Sequence, residues 1–201
     1  MNHILPYALA LFAASAAADP SALRDGDLVF QTSRSAQSVA VQRATGSRYS
    51  HMGIVLLRNG KPFVFEAAGT VRYTPLNRWV ARGAGSRVIA KRLRDAATLL
   101  DLQGLRRLRQ EAGKYAGRPY DPTFEWSDQR MYCSELVWKI YQRALGIRIG
   151  ELQKIGELRL DDPAVRIKLE ERYGDRVPLE EPVVSPAAMF DSTALVTVME
   201  R

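Results

Sequence analysis

The chain has 201 residues, of which 46% are apolar and 25% charged, with 14 Gly and 10 Pro. That composition excludes a disordered, collagen-like or disulfide-dense protein, and the length supports one hydrophobic core without metal clips or cross-links. The formal net charge is +7, which bears on association with anionic partners rather than on fold.

The first segment in chain order, Ile4 to Ala18, is apolar and free of charged side chains, and ends in Ala16-Ala17-Ala18 before Asp19. This is the pattern of a cleaved export signal over residues 1–18, which leaves 19–201 as one domain and places it in the periplasm. No cysteine stands near the cleavage point to take a lipid anchor. Removing the segment also removes His3, so the mature chain holds one histidine, His51, and one cysteine, Cys133. A lone cysteine forms no intramolecular disulfide. Two Cys and His residues fall short of a structural zinc site, and no cofactor fingerprint is present. In an exported protein the positive charge suits anionic envelope polymers or lipid head groups rather than nucleic acid.

Leu28-Val29-Phe30 reads as a short strand after the Gly26-Asp27 turn, with Asp25 and Asp27 shaping that turn. Ser35 is placed to cap a helix over Ala36 to Ala44, stopped by Gly46. Tyr49 to Leu57 and Pro62 to Ala67 are apolar runs flanking Asn59-Gly60, a strong hairpin signal. Arg87 to Leu93 reads as a strand. Thr98 to Ala116 reads as one amphipathic helix with Leu99, Leu102, Leu105, Leu108, Ala112 and Tyr115 on its apolar face. Glu125 and Asp128 are expected to cap or precede a second helix, Met131 to Leu145, ended by Gly146. Asp162-Pro163 opens a helix running to Tyr173, and Ser185-Pro186 opens a shorter one. The class is α+β, an antiparallel sheet or small barrel packed against helices.

With Asn59-Gly60 as the two loop residues, Arg58 faces Lys61, Leu57 faces Pro62, Val55 faces Val64 and Gly53 faces Glu66. Opposed residues share a sheet face, so His51 and Glu66 become diagonal neighbours roughly 7 to 8 Å apart at the backbone. A carboxylate there fixes the imidazole tautomer and stabilises its charged form. Cys133 falls in the first turn of its helix, where unpaired N–H groups and the dipole favour a thiolate. Ser134 points elsewhere and is expected to satisfy a backbone group. Tyr49, Tyr120 and Tyr132 are candidate lining groups, with core packing as the simpler account of each.

Gly26-Asp27-Leu28-Val29-Phe30-Gln31-Thr32-Ser33, Tyr49-Ser50-His51-Met52-Gly53-Ile54, Phe65-Glu66-Ala67 and Tyr132-Cys133-Ser134-Glu135-Leu136-Val137-Trp138 resemble the YiiX/YaeF-like permuted papain-like enzymes. The resemblance extends through Phe124 to Asp128 and Ser185-Pro186. His51 and Glu66 precede Cys133, the reverse of the order in NlpC-type enzymes and the order of lecithin:retinol acyltransferase-like proteins. The resemblance implies Cys133 as nucleophile, His51 as general base and Glu66 as its orienting group. It further implies hydrolysis or transfer at an amide or ester carbonyl, the leading expectation being hydrolysis in envelope material such as a peptidoglycan peptide or an acylated molecule. Two other readings are acyl transfer to a lipid or amine acceptor, and a non-catalytic envelope-binding module in which Cys133 is core packing.

Overall fold

A computed structural model describes residues 23–201; the expected export signal and its cleavage point lie outside the described residues. Six antiparallel strands form one sheet: β1 (Leu28–Gln31), β2 (His51–Arg58), β3 (Lys61–Ala68), β4 (Thr70–Pro75), β5 (Ile89–Leu93) and, near the C-terminus, a strand at Leu195–Glu200. A two-stranded ribbon pairs β6 (Gln153–Lys154) with β7 (Pro182–Val183), which makes the C-terminal strand β8. The order across the main sheet is β4-β3-β2-β1-β5-β8. The sheet is open, and the fold is the mixed α+β class read from the sequence.

The β2–β3 hairpin turns on Asn59 and Gly60, with φ of 51° and 72°. Both central residues of such a two-residue turn need positive φ, which Asn tolerates and Gly adopts freely. The pairs Arg58↔Lys61, Leu57↔Pro62 and Val55↔Val64 form as the turn dictates. Alternation along the strands then divides the core. Leu28, Phe30, Met52, Ile54, Leu56 and Phe65 join one cluster with Leu136, Val137, Ile140 and Tyr141, while Val29, Val55 and Val64 join a second with Leu76 and Trp79.

The helices are α1 (Ser38–Thr45), α2 (Leu76–Arg82), α3 (Ala96–Leu99), α4 (Leu102–Gly113), α5 (Cys133–Leu145), α6 (Pro163–Tyr173) and α7 (Pro186–Phe190). Helix α5 has the strongest local logic. Its face Leu136, Val137, Ile140 and Tyr141 is fully buried, and Gly146 ends it in the left-handed conformation, φ 72°. Asp162 and Ser185 cap α6 and α7 by accepting from Ala164 N and Ala188 N at 2.9 and 3.0 Å.

Two local expectations are corrected. The helix expected over Thr98 to Ala116 is two helices: Asp101 accepts from Gly104 N at 2.7 Å and starts a new one. A Cβ on Gly104 would stand 2.0 Å from the Leu99 carbonyl oxygen, so this close crossing requires glycine. Leu102 is consequently 77% exposed rather than part of the apolar face. The helix expected from Ala36 starts at Ser38, and no side chain caps it: the Ser35 carbonyl, not its hydroxyl, accepts from Ser38 N. Asp128 precedes α5, as expected, and bridges Lys139 and Arg143 along it. Asp25 and Asp27 do hold the first turn, accepting from Leu57 N and Arg24 N at 2.7 and 2.8 Å.

Candidate active site

Glu66 is completely buried on β3, so its charge needs partners on every side. It has four. Oε2 meets His51 Nε2 at 2.6 Å and accepts from Trp79 Nε1 at 2.9 Å. Oε1 accepts from Thr74 Oγ1 at 2.5 Å and from the Arg82 guanidinium. These donors come from β2, β4 and α2, which makes the carboxylate the tie between the hairpin and the elements that follow it. Burial opposes ionisation of Glu66, but the hydrogen bond and charge of His51, with Thr74 and Arg82, outweigh it and bring the carboxyl from 4.5 down to about 2.

Gly53 makes room for this contact. A Cβ there would stand 2.8 Å from the Phe65 carbonyl oxygen and 3.3 Å from the Glu66 Cβ. His51 is the first residue of β2, so its ring lies at the end of the sheet. Trp79 stacks beside it at 5.9 Å between centroids, and Cys133, the first residue of α5, is near enough to interact with it. With Nε2 held by Glu66, Nδ1 is the nitrogen available to the sulfur. Burial opposes the charge on His51, yet the hydrogen bond its ring donates to Glu66, its interaction with Cys133 and the electrostatic attraction of both groups prevail and raise the imidazolium from 6.5 to about 9.

The structure thus brings together Cys133, His51 and Glu66, which are separated in sequence by 82 and 15 positions along the order Cys133, His51, Glu66. Ser134 turns away and donates to the Val184 carbonyl at 2.7 Å. Tyr49 stacks on Phe190, and the Tyr132 hydroxyl accepts from Val184 N at 3.2 Å, so both have packing roles. Tyr120, like Tyr132, lines the cavity beside Cys133, and its hydroxyl accepts from Gln37 Nε2. Burial, reinforced by the nearby Cys133, raises the Tyr120 phenol and keeps its proton in place. Sequence reasoning missed Gln37, Thr74, Trp79 and Arg82. Thr74 was signalled by a second β-rich run, Thr70 to Pro75, following Gly69, whose φ is 73°.

Two spaces meet at this site. A cavity of about 90 Å³ beside Cys133 is walled by Ala40, Val41, Ile155, Val165 and Leu169. An open cleft of about 980 Å³ has His51 in its wall. This geometry, a cysteine opening a helix and a histidine beginning a strand that follows β1 in an antiparallel sheet, has a close match among known proteins. The family model for permuted papain-like amidase enzymes, YaeF/YiiX, C92 family, matches residues 22–199.

The chain belongs to this family. The uncharacterized protein YiiX from Escherichia coli (strain K12) is 51% identical over 176 residues, covering 88% of this chain and 86% of that protein. A crystal structure described as metalloprotein yiiX from Escherichia coli O157:H7, DUF1105, has a TM-score of 0.85 at 51% identity, covering 89% of this chain and 97% of that one. In the present member, no group of three or more His, Cys, Asp or Glu side chains among the described residues is placed to hold a metal ion. Four protein donors already fill Glu66, and His51 Nε2 is bound to it. The donor set does not fit a metal.

Proposed function

We propose that this permuted papain-like family member is an exported, periplasmic cysteine hydrolase that cleaves an amide or ester bond in cell-envelope material through Cys133, His51 and Glu66. The observation that carries the reading is His51 held between a fully buried carboxylate and the cysteine that opens α5. The Cys133 thiolate attacks the carbonyl carbon, forming a C–S bond, while the His51 imidazolium donates its proton to the departing nitrogen or oxygen as that bond breaks. Neutral His51 then takes a proton from water, whose oxygen attacks the thioester, and the thiolate leaves with the acid released. Glu66 keeps the ring oriented and stabilises its charged form in both halves.

The oxyanion is assigned to the Cys133 backbone N–H, in the first turn of α5 where such groups lack helical partners, and to the Tyr120 hydroxyl. Gln37 Nε2 donates to Tyr120, and Arg172 donates to Gln37 Oε1 at 2.7 Å. That chain fixes the amide's orientation and leaves the phenolic proton free for the oxyanion.

A second reading, acyl transfer to an amine or lipid acceptor, is favoured by the apolar cavity beside Cys133, which would hold an acyl group away from water. Profiling of peptide, amide and ester substrates against a Cys133→Ala control tests both. Turnover that vanishes in Cys133→Ala, with free acid as product, supports hydrolysis, and product appearing only with an added amine supports transfer. Equal turnover in Cys133→Ala contradicts both. For export, N-terminal sequencing of protein recovered from the envelope should begin at Asp19, and an intact residue 1 would contradict it.

A further inference from the structure

The cleft that contains His51 carries far more positive than negative charge. Arg34, Arg72, Arg82, Lys168 and Arg172 line it, against Glu171 as its single carboxylate. Three of these cations have local partners: Arg82 binds Glu66, Lys168 pairs with Glu171 at 2.5 Å, and Arg172 donates to Gln37. Arg34 and Arg72 have no ion pair among the described residues, and both are exposed to the cleft.

Arg72 is the more informative of the two. It lies directly opposite Glu66 in the β3–β4 ladder, so the two side chains share a sheet face and form the natural cross-strand ion pair. That pair does not form, because His51, Trp79, Thr74 and Arg82 occupy both oxygens of Glu66. A carboxylate offers about four lone-pair sites, and all are used. The guanidinium of Arg72 is left over on the catalytic face.

We propose that Arg72 and Arg34 form an anion-binding subsite for the leaving-group half of the substrate, accepting a phosphate or carboxylate carried next to the scissile bond. The assignment of that half rests on the hydrolase reading above. The cavity holding Cys133 is apolar and excludes His51, whereas the cleft holding His51 is polar and cationic. His51 protonates the leaving group, so the leaving group lies on the cleft side and the acyl half on the cavity side. Arginine forks bind planar carboxylates and phosphate oxygens through paired N–H donors, and a cleft lined by one sign of charge concentrates ligands of the other.

The test measures binding, so that it does not depend on turnover. Calorimetry on the Cys133→Ala protein compares N-octanoylphosphoethanolamine, N-octanoylglycine and the neutral N-octanoylethanolamine. The two anionic ligands should bind at least about tenfold more tightly than the neutral one, a ratio expected of charge-assisted arginine contacts. A larger ratio for the phosphate than for the carboxylate identifies a phosphate-bearing substrate, and the reverse order a carboxylate-bearing one. Adding Arg34→Gln and Arg72→Gln should bring the ratio close to one, and Arg34→Lys with Arg72→Lys should retain part of it. Both arginines are exposed, and an unchanged thermal midpoint verifies folding of each variant. Equal binding of anionic and neutral ligands, or a preference that survives the double Gln replacement, overturns the subsite. Failure of the hydrolase reading would appear separately, as turnover of these amides that is independent of Cys133 in the otherwise wild-type protein.

Discussion

Trp79 donates its indole N–H to Oε2 of Glu66 at 2.9 Å, the same oxygen that meets His51 Nε2 at 2.6 Å. Trp79 therefore sets the carboxylate's position from α2 while its ring stacks beside the imidazole. Trp79→Phe keeps an aromatic body but removes the donor from a fully buried site. The expected loss is about 1 to 3 kcal/mol of stability, the cost of a buried hydrogen-bonding group left without its partner. Turnover should fall while the Cys133 labelling stoichiometry stays at one. Chemical denaturation and thiol counting measure the two effects.

His51 gives the pH dependence a definite sign. Its folded value is about 9 against 6.5 for an unperturbed imidazole, so protonation stabilises the folded state fully below pH 6.5, and that contribution is lost as pH rises through about 9. Glu66 acts in the opposite sense. Its value of about 2 against 4.5 gives stability that is present above pH 4.5 and lost as pH falls toward 2. NMR titration of the imidazole should show the raised midpoint, and Cys133→Ala should lower it by removing one of the two partners. A midpoint unaffected by Cys133→Ala would show that the sulfur does not contribute.

If the three side chains act as a unit, their losses do not multiply. Glu66→Gln should lower turnover, and Glu66→Gln combined with His51→Ala should be scarcely worse than His51→Ala alone, since orienting an absent base contributes nothing. Multiplicative losses at matched stability would place the action of Glu66 elsewhere.

Gly53→Ala tests the space between the strands. The added methyl meets Val64 Cγ1 at 2.5 Å and the Phe65 carbonyl oxygen at 2.8 Å, and the backbone contact has little freedom to relax. A loss of about 1 to 3 kcal/mol, the usual cost of overpacking, is expected. Activity should fall further than stability alone explains, because the displaced strand carries Glu66. Thermal melts beside rate measurements separate the two.

The sequence was most legible where chemistry is local. Asn59-Gly60 permits one tight turn, and that turn determines the β2–β3 register and hence the approach of His51 to Glu66. A slip of one residue would have sent one partner to the opposite face. Gly146 and the apolar stripe of α5 similarly made the Cys133 helix readable. Less legible were features created by long-range packing. Periodicity carried the Thr98 to Ala116 pattern through a break enforced by Gly104 against Leu99, and Ser35 looked like a cap although its hydroxyl is not used as one. Trp79, Thr74 and Arg82 are ordinary core or surface residues until β4 and α2 fold over Glu66. Nothing in their local spacing reveals that they converge on one carboxylate.

The most direct test of the central claim, that Cys133 is activated by His51 and Glu66, is the alkylation rate of Cys133 by iodoacetamide at pH 6, where a free thiol of ordinary pKa near ~8.5 is almost wholly protonated and slow. Modification at Cys133 should be faster than that of a free thiol, despite 6% exposure of the residue, with the rate falling in His51→Ala and, to a smaller extent, in Glu66→Gln. A wild-type rate no greater than that of a free thiol, or one unchanged by His51→Ala, would contradict it.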